Sequence, residues 1–185
     1  MMSDANNRPT LIMIDGHALA YRQYFALPVE AFSTADGEPT NAVYGFARTL
    51  LDVLEKDRPK YLLVTFDKGL SGRDEQYAEY KGTREKMPDD MRIQMQRIYE
   101  LVQAFNIPIL ELDGYEADDV MGTLAQQAEA EALHTLIVTG DRDLLQLVTD
   151  LTHVRLPPGR WNKTDQVFDP AAFREKYQLE PPQLV

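Results

Sequence analysis

Short apolar runs alternate with segments of helical periodicity along this chain. Leu11-Ile12-Met13-Ile14 ends in Asp15, and Tyr61-Leu62-Leu63-Val64-Thr65-Phe66 ends in Asp67. Ile107-Pro108-Ile109-Leu110 leads shortly into Glu116, Asp118 and Asp119. Leu136-Ile137-Val138-Thr139-Gly140 ends in Asp141 and Asp143. Runs of this length between helical patterns read as buried parallel strands of an α/β sheet. The pattern predicts strands over residues 10–15, 60–67, 107–112, 134–139 and 152–156, with a short return strand over 166–168. Helices are expected over 17–26, 89–105, 116–132 and 141–148, and from Pro170 onward. A further helix is expected after Thr40 as N-cap, with Val43, Phe46, Ala47, Leu50, Leu51 and Leu54 facing the core. Asp36-Gly37 and Pro157-Pro158-Gly159 mark turns.

In such sheets, sites form at the carboxyl ends of the strands. The fold therefore gathers the run-ending carboxylates into one small volume. Like charges that close repel strongly unless something positive sits between them. A divalent metal cluster held by hard oxygen ligands accounts for the pattern. Each acidic residue also has a structural alternative. Asp15 and Asp141 suit helix N-caps, and Glu116, Asp118 and Asp119 suit a first helical turn. The joint pattern is harder to explain that way. Asp67 precedes a long loop, Asp118 and Asp119 are adjacent, and Asp141 and Asp143 are both acidic. Glu116 and Asp119 share a helix face.

Oxygen ligands without histidine favour magnesium or manganese over zinc. His134 and His153 fall at strand starts, away from the expected site, in structural or surface roles. His17 follows Asp15 and suits a local hydrogen bond. Two such ions about 3.5–4 Å apart suit phosphoryl chemistry, activating water on one side and stabilising the leaving oxygen on the other. No glycine-rich loop of the Walker type is present, which argues against an ATPase or kinase. The residues alone thus give a metal-dependent phosphodiesterase or phosphatase.

A chain of 185 residues suits one domain. The absence of cysteine excludes disulfides, thiolate zinc sites and cysteine nucleophiles. Residues 1–10 lack the apolar stretch of a signal peptide, and no run reaches membrane-spanning length. A soluble, cytoplasmic monomer is expected. The net charge of −11 runs against the basic footprint of a nucleic-acid binder. Bound metal would offset part of it, and basic residues can still cluster locally. Lys68, Arg73, Lys81, Arg84, Lys86, Arg92 and Arg97 do so, interleaved with acids. By composition alone this is a solvated mixed-charge segment. Residues 68–88 are long, polar and without an apolar face, and such a loop inside a compact domain is usually functional or disordered.

Several motifs follow in order. They are Leu11-Ile12-Met13-Ile14-Asp15-Gly16-His17-Ala18-Leu19-Ala20-Tyr21-Arg22, Thr40-Asn41-Ala42-Val43-Tyr44-Gly45-Phe46 and Phe66-Asp67. Glu79-Tyr80-Lys81-Gly82-Thr83-Arg84, Gly114-Tyr115-Glu116-Ala117-Asp118-Asp119 and Thr139-Gly140-Asp141-Arg142-Asp143 complete the set. Together they resemble the 5′→3′ exonuclease domain of bacterial DNA polymerase I, a flap-endonuclease-type nuclease. The resemblance implies a three-layer, PIN-like (resolvase-like) fold with a mainly parallel central sheet flanked by helices and a flexible helical arch over 68–88. It implies Asp15, Asp67, Glu116, Asp118, Asp119, Asp141 and Asp143 as ligands of Mg2+ or Mn2+, directly or through water, with two ions in the intact domain. It implies Lys81 and Arg84 at the scissile region as catalytic groups, and DNA contacts from Tyr21, Arg22, Lys68 and Arg73. Tyr21 would stack on a base; its structural alternative is a core aromatic.

The implied partners are DNA with a 5′ flap or single-stranded 5′ end and RNA–DNA primer junctions, with no membrane. The family pattern continues into a helix–three-turn–helix segment with two further aspartates. The chain is thus expected to be the N-terminal part of a longer protein with a polymerase domain. The rivals are a free-standing exonuclease of the same type, a PIN-like ribonuclease, and a non-catalytic DNA-junction-binding module.

Overall fold

Six strands form one sheet in a computed structural model that describes residues 10–67, 87–160 and 163–184. The strands are β1 (Leu11–Asp15), β2 (Tyr61–Thr65), β3 (Ile109–Leu110), β4 (Thr135–Val138), β5 (Thr152–Leu156) and β6 (Gln166–Phe168). Their spatial order is β3-β2-β1-β4-β5-β6. The first five are parallel, and β6 closes one edge antiparallel to β5. Expected strand 107–112 is reduced to two paired residues, since Leu110 and Leu112 face solvent.

Strand β1 shows why the sheet carries two cores. Side chains alternate between faces. Ile12 and Ile14 point into one apolar cluster, and Met13 points into the other. On the first face lie α1 (Gly16–Ala26), α2 (Asn41–Asp52) and α3 (Asp89–Ala104), through Leu19, Phe46, Leu50, Met91, Ile98 and Val102. On the second lie α4 (Ala117–Ala130) and α5 (Pro170–Tyr177), through Met121, Ala125 and Phe173. This is the expected three-layer α/β arrangement. Of the side chains expected on the core face of α2, Leu51 is a correction. It is 41% exposed, and Val53, one turn beyond Leu50, is buried instead.

Helix α2 begins where the turn chemistry predicts, yet Thr40 makes no side-chain cap bond. The capping acceptor comes from α3. Gln94 Oε1 accepts from Ala42 N at 2.8 Å and Val43 N at 3.4 Å, while Gln94 Nε2 donates to Asn41 Oδ1 at 2.9 Å. Gln94 is fully buried, so water does not readily replace it. Gln94→Ala is expected to cost about 2 kcal/mol by leaving the Ala42 N–H unsatisfied. An unchanged midpoint in urea unfolding would show that the amide is not holding the cap.

The strand order reverses between β1 and β4. Chains leaving these two strands diverge and leave a crevice at their carboxyl ends, the usual place for a site in an open α/β sheet. Asp15 ends β1, and Thr139-Gly140-Asp141 follows β4 directly.

Candidate metal centre

Asp15 is built into the first turn of α1. Its Oδ1 accepts from Ala18 N at 3.0 Å as the helix N-cap, and its Oδ2 accepts from Thr139 Oγ1 at 2.7 Å. Thr139 Oγ1 in turn accepts from Asp141 N at 2.9 Å. One buried hydroxyl therefore ties the ends of β1 and β4 together. In the sequence, Thr139 reads only as the end of the run Leu136-Ile137-Val138-Thr139. The clue was a hydroxyl ending an apolar run directly before Gly140-Asp141.

The close approach also requires Gly140. A Cβ there would stand 2.2 Å from Ala18 O, a backbone atom that cannot rotate away. Gly140→Ala is expected to cost roughly 1–3 kcal/mol as the loop shifts off α1. Thermal unfolding measures this; an unaltered melting temperature would mean that the two turns are not in contact.

Asp67 follows β2 and is held by two hydrogen bonds. Its N donates to His17 Nδ1 at 3.1 Å, and its Oδ1 accepts from Ala117 N at 2.7 Å. Its Oδ2 lies 3.9 Å from the same His17 nitrogen. A nitrogen accepting a hydrogen bond carries no proton, so the 3.1 Å bond, rather than an ion pair, fixes His17 with its proton on Nε2. His17 thus has the local hydrogen-bonding role expected of it. The reading of Asp67 as unconnected with helix capping needs correction: its carboxylate receives the first N–H of α4. Sequence order could not show this, because the helix begins fifty residues later.

Glu116 is the N-cap residue of α4, and Asp118 and Asp119 lie in its first turn. Asp119 Oδ2 accepts from Glu116 N at 3.2 Å. The expected helix 141–148 is a 3₁₀ turn over Asp143–Leu147, preceded by Asp141, whose Oδ1 accepts from Asp143 N at 2.9 Å.

These pieces enclose an open cavity of about 520 Å³. Asp15, Asp67, Glu116, Asp118 and Asp141 line it, with His17, Tyr21 and Met87. Asp119 and Asp143 do not line it; the first turns back on its own helix, and the second is exposed on the 3₁₀ turn. Tyr21 packs its ring against the core on one side and lines the cavity on the other, so it is not simply a core aromatic. Lys68, Arg73, Lys81 and Arg84 lie outside the described residues. His134 and His153 line a separate cavity with Asp57 and Arg155, as their strand-start positions implied.

The electrostatics match the crowding. Burial pushes Asp15 up to about 6 from its ordinary 3.8. The hydrogen bonds from Thr139 and Ala18 oppose that rise, and the charges of Asp67 and Asp141 add to it. Among the described residues, no lysine or arginine lines the cavity. Among them, too, no three side chains already stand as one ion's ligands. The donor set still fits a small hard cation. Magnesium usually keeps several waters and takes only one or two carboxylates directly.

The chain matches the family described as 5′-3′ exonuclease, N-terminal resolvase-like domain, over residues 10–178. It belongs to this family. DNA polymerase I of Chloroflexus aurantiacus is 49% identical over 178 residues, 95% of this chain and 19% of that protein. DNA polymerase I of Bacillus subtilis is 44% identical over 96% of this chain and 20% of its own length. A 5′-3′ exonuclease of Aquifex aeolicus is 41% identical over 95% of this chain and 58% of its own. The chain thus spans about a fifth of these polymerases and somewhat over half of the shorter exonuclease. The fold is shared with the 5′-exonuclease of bacteriophage T5 bound to divalent zinc, at a TM-score of 0.68 and 18% identity, covering 92% of this chain and 62% of that one. A T5 flap endonuclease complex with DNA and metal ions superposes at 0.67, with 18% identity, over 91% and 61%. Among the described residues no helix is long and apolar enough to cross a membrane.

Proposed function

We propose that the chain is the catalytic N-terminal lobe of a 5′→3′ exonuclease and 5′-flap endonuclease. It would hydrolyse phosphodiester bonds in DNA and in RNA primers, as part of a DNA polymerase I. The observation that carries this reading is the shared cavity of Asp15, Asp67, Glu116, Asp118 and Asp141 at the reversal between β1 and β4. These five residues would hold divalent ions, magnesium or manganese. Asp119 and Asp143 would serve through water, beyond the directly lining set. When bound, such ions activate water and stabilise the leaving oxygen of a phosphodiester.

The chain's own residues prepare for that. Thr139 and Ala18 fix both oxygens of Asp15, and Ala117 fixes one oxygen of Asp67. Asp15 and Asp67 would thereby reorganise little on binding, and the other carboxylates would close on the ion. Tyr21, on the cavity wall, offers a face on which an unpaired base can stack. Arg22 stands beside it, with Nε donating to Pro157 O at 2.7 Å. Lys68 and Arg73 are proposed strand contacts, and Lys81 and Arg84 are proposed to offset charge on the phosphate, all on the family resemblance.

The test pairs cleavage with metal binding. A 5′-flap substrate is expected to be cut with magnesium and only bound with calcium. Calorimetry should show magnesium heat that the Asp67→Ala change abolishes. Strand binding without any magnesium-dependent cleavage would instead leave a junction-binding module.

A further inference from the structure

A second cavity, of about 510 Å³, adjoins the carboxylate cavity and shares Ala18, Tyr21 and Asp141 with it. Its chemistry is the opposite. Arg22, Arg142 and Arg160 line it, together with Tyr21, Phe25, Gly140 and Gly159. Arg22 is fixed in place. Its Nε is held by Pro157 O, and a Cβ on Gly159 would stand 3.1 Å from its Cζ. A Cβ on Gly140 would come within 3.0 Å of Arg22 Cβ. Gly159 thus lies against the guanidinium, and Gly140 against the first carbon of the same side chain.

Arg142 stands near enough to oppose the charge of Arg22, a second reason besides burial for a weaker hold on its proton. Cations gathered around one cavity are stable together when an anion joins them. The single carboxylate in the lining, Asp141, belongs to the wall shared with the metal centre. An anion here is therefore turned toward the arginines. The anion has a hydrophobic neighbour. Phe25 is 63% exposed and stacks on Tyr21 with ring centroids 6.4 Å apart and planes at 25°. Leaving a large aromatic ring in water beside guanidinium groups suits one ligand above others: a phosphate that carries a base. A free anion would make no use of the ring.

We propose that Arg142 and Arg160, with Arg22, bind the backbone phosphate next to the one that is cut, and that Phe25 stacks on the neighbouring base. The ligand class is single-stranded nucleic acid. The proposal rests on the nuclease reading for its direction, since it assigns the cut phosphate to the carboxylate cavity. It adds Phe25, Arg142 and Arg160, which the sequence motifs did not single out as strand-binding residues.

The test measures binding of a short fluorescent oligothymidylate with calcium in place of magnesium, across a salt series. Arg142→Gln and Arg160→Gln are each expected to weaken binding, and the two changes together to flatten the slope of log affinity against log salt by up to about 0.7, the value for one phosphate. Phe25→Ala is expected to weaken binding about tenfold and leave the slope unchanged, because stacking is not an ionic interaction. All three side chains are exposed, so thermal unfolding should stay at the wild-type value. Variants that bind as the wild type does, with the same slope, would overturn the proposal. So would a wild-type chain that fails to bind the strand at low salt. Inorganic phosphate displacing the strand at matched ionic strength, with Phe25→Ala silent, would show a free-anion site instead. Strand binding through these residues, without cleavage of a 5′ flap in magnesium, would keep the subsite and remove the nuclease reading.

Discussion

Replacing Asp15 by asparagine is expected to raise the stability of the metal-free protein by about 2 kcal/mol at pH 8. Asp15 is only 6% exposed, and its carboxyl titrates at about 6 in the folded chain against 3.8 when unperturbed. Above pH 6 the folded state carries an ionised carboxylate that burial and two neighbouring acids disfavour. A folded pKa raised above the unfolded one contributes stability that is full below pH 3.8 and is lost as pH rises through 6. The gap between the two values corresponds to about 3 kcal/mol at pH 8. Asparagine keeps an oxygen for Ala18 N but meets Thr139 Oγ1 with an N–H donor, which returns about 1 kcal/mol of that gain.

Denaturant unfolding of both proteins from pH 4 to pH 8 isolates the effect. The variant should be the more stable at pH 8, the difference should pass through zero between pH 4 and pH 5, and the wild type should be slightly the more stable at pH 4. Added magnesium should stabilise the wild type and do little for Asp15→Asn. Equal stabilities across the range would mean that Asp15 is not held as a crowded carboxylate. A protein that folds better without a charge at this position has placed the charge there for another purpose.

What the sequence displayed and what it hid divide along chain distance. The apolar runs of β1 and β4 were legible because both strands are buried on both faces and so read as continuous hydrophobic sequence, as β2 does toward its buried carboxyl end, whereas β5 showed as the alternation Thr152-His153-Val154-Arg155-Leu156 with one face buried. Their carboxyl-end acids were legible for the same reason: a parallel sheet brings every run end to one edge. Strand β3 was overdrawn because Leu110 and Leu112 are apolar yet exposed. Leu51 misled in the same way, since a hydrophobic stripe read at helical spacing does not reveal how wide the covered face is. The bonds that set the site were hidden because they join residues far apart. Asp67 caps a helix fifty positions later, Thr139 holds Asp15 across 124 positions, and Gln94 caps α2 from fifty-two positions away. Local rules nominate a nearby cap, such as Thr40, and the fold supplied a distant one. Arg142, though part of the motif Thr139-Gly140-Asp141-Arg142-Asp143, and Arg160 were not read as strand contacts, because they stand eighteen positions apart and only the folded turns bring both to Arg22's cavity.

In the intact protein, Lys81→Ala is expected to slow single-turnover cleavage of a 5′ flap by roughly a hundredfold to a thousandfold while weakening flap binding far less. On the family resemblance we propose that the segment Glu79-Tyr80-Lys81-Gly82-Thr83-Arg84 meets the scissile region, and the outcome depends on where such a charge acts. A lysine touching a distant phosphate contributes to affinity and to the salt slope, with little effect on the chemical step. A lysine beside the phosphate under attack meets charge that develops only as the bond breaks. Its loss therefore falls on the transition state, at about 3–4 kcal/mol. Arg92 supplies the control. It is exposed on α3 and paired with Asp89 at 3.1 Å, so Arg92→Ala should alter neither quantity much. Cleavage is measured at saturating enzyme with magnesium, and binding with calcium. A Lys81→Ala protein that binds the flap much more weakly, yet cuts what it has bound at the normal rate, would show that Lys81 steers the strand and takes no part in the chemistry.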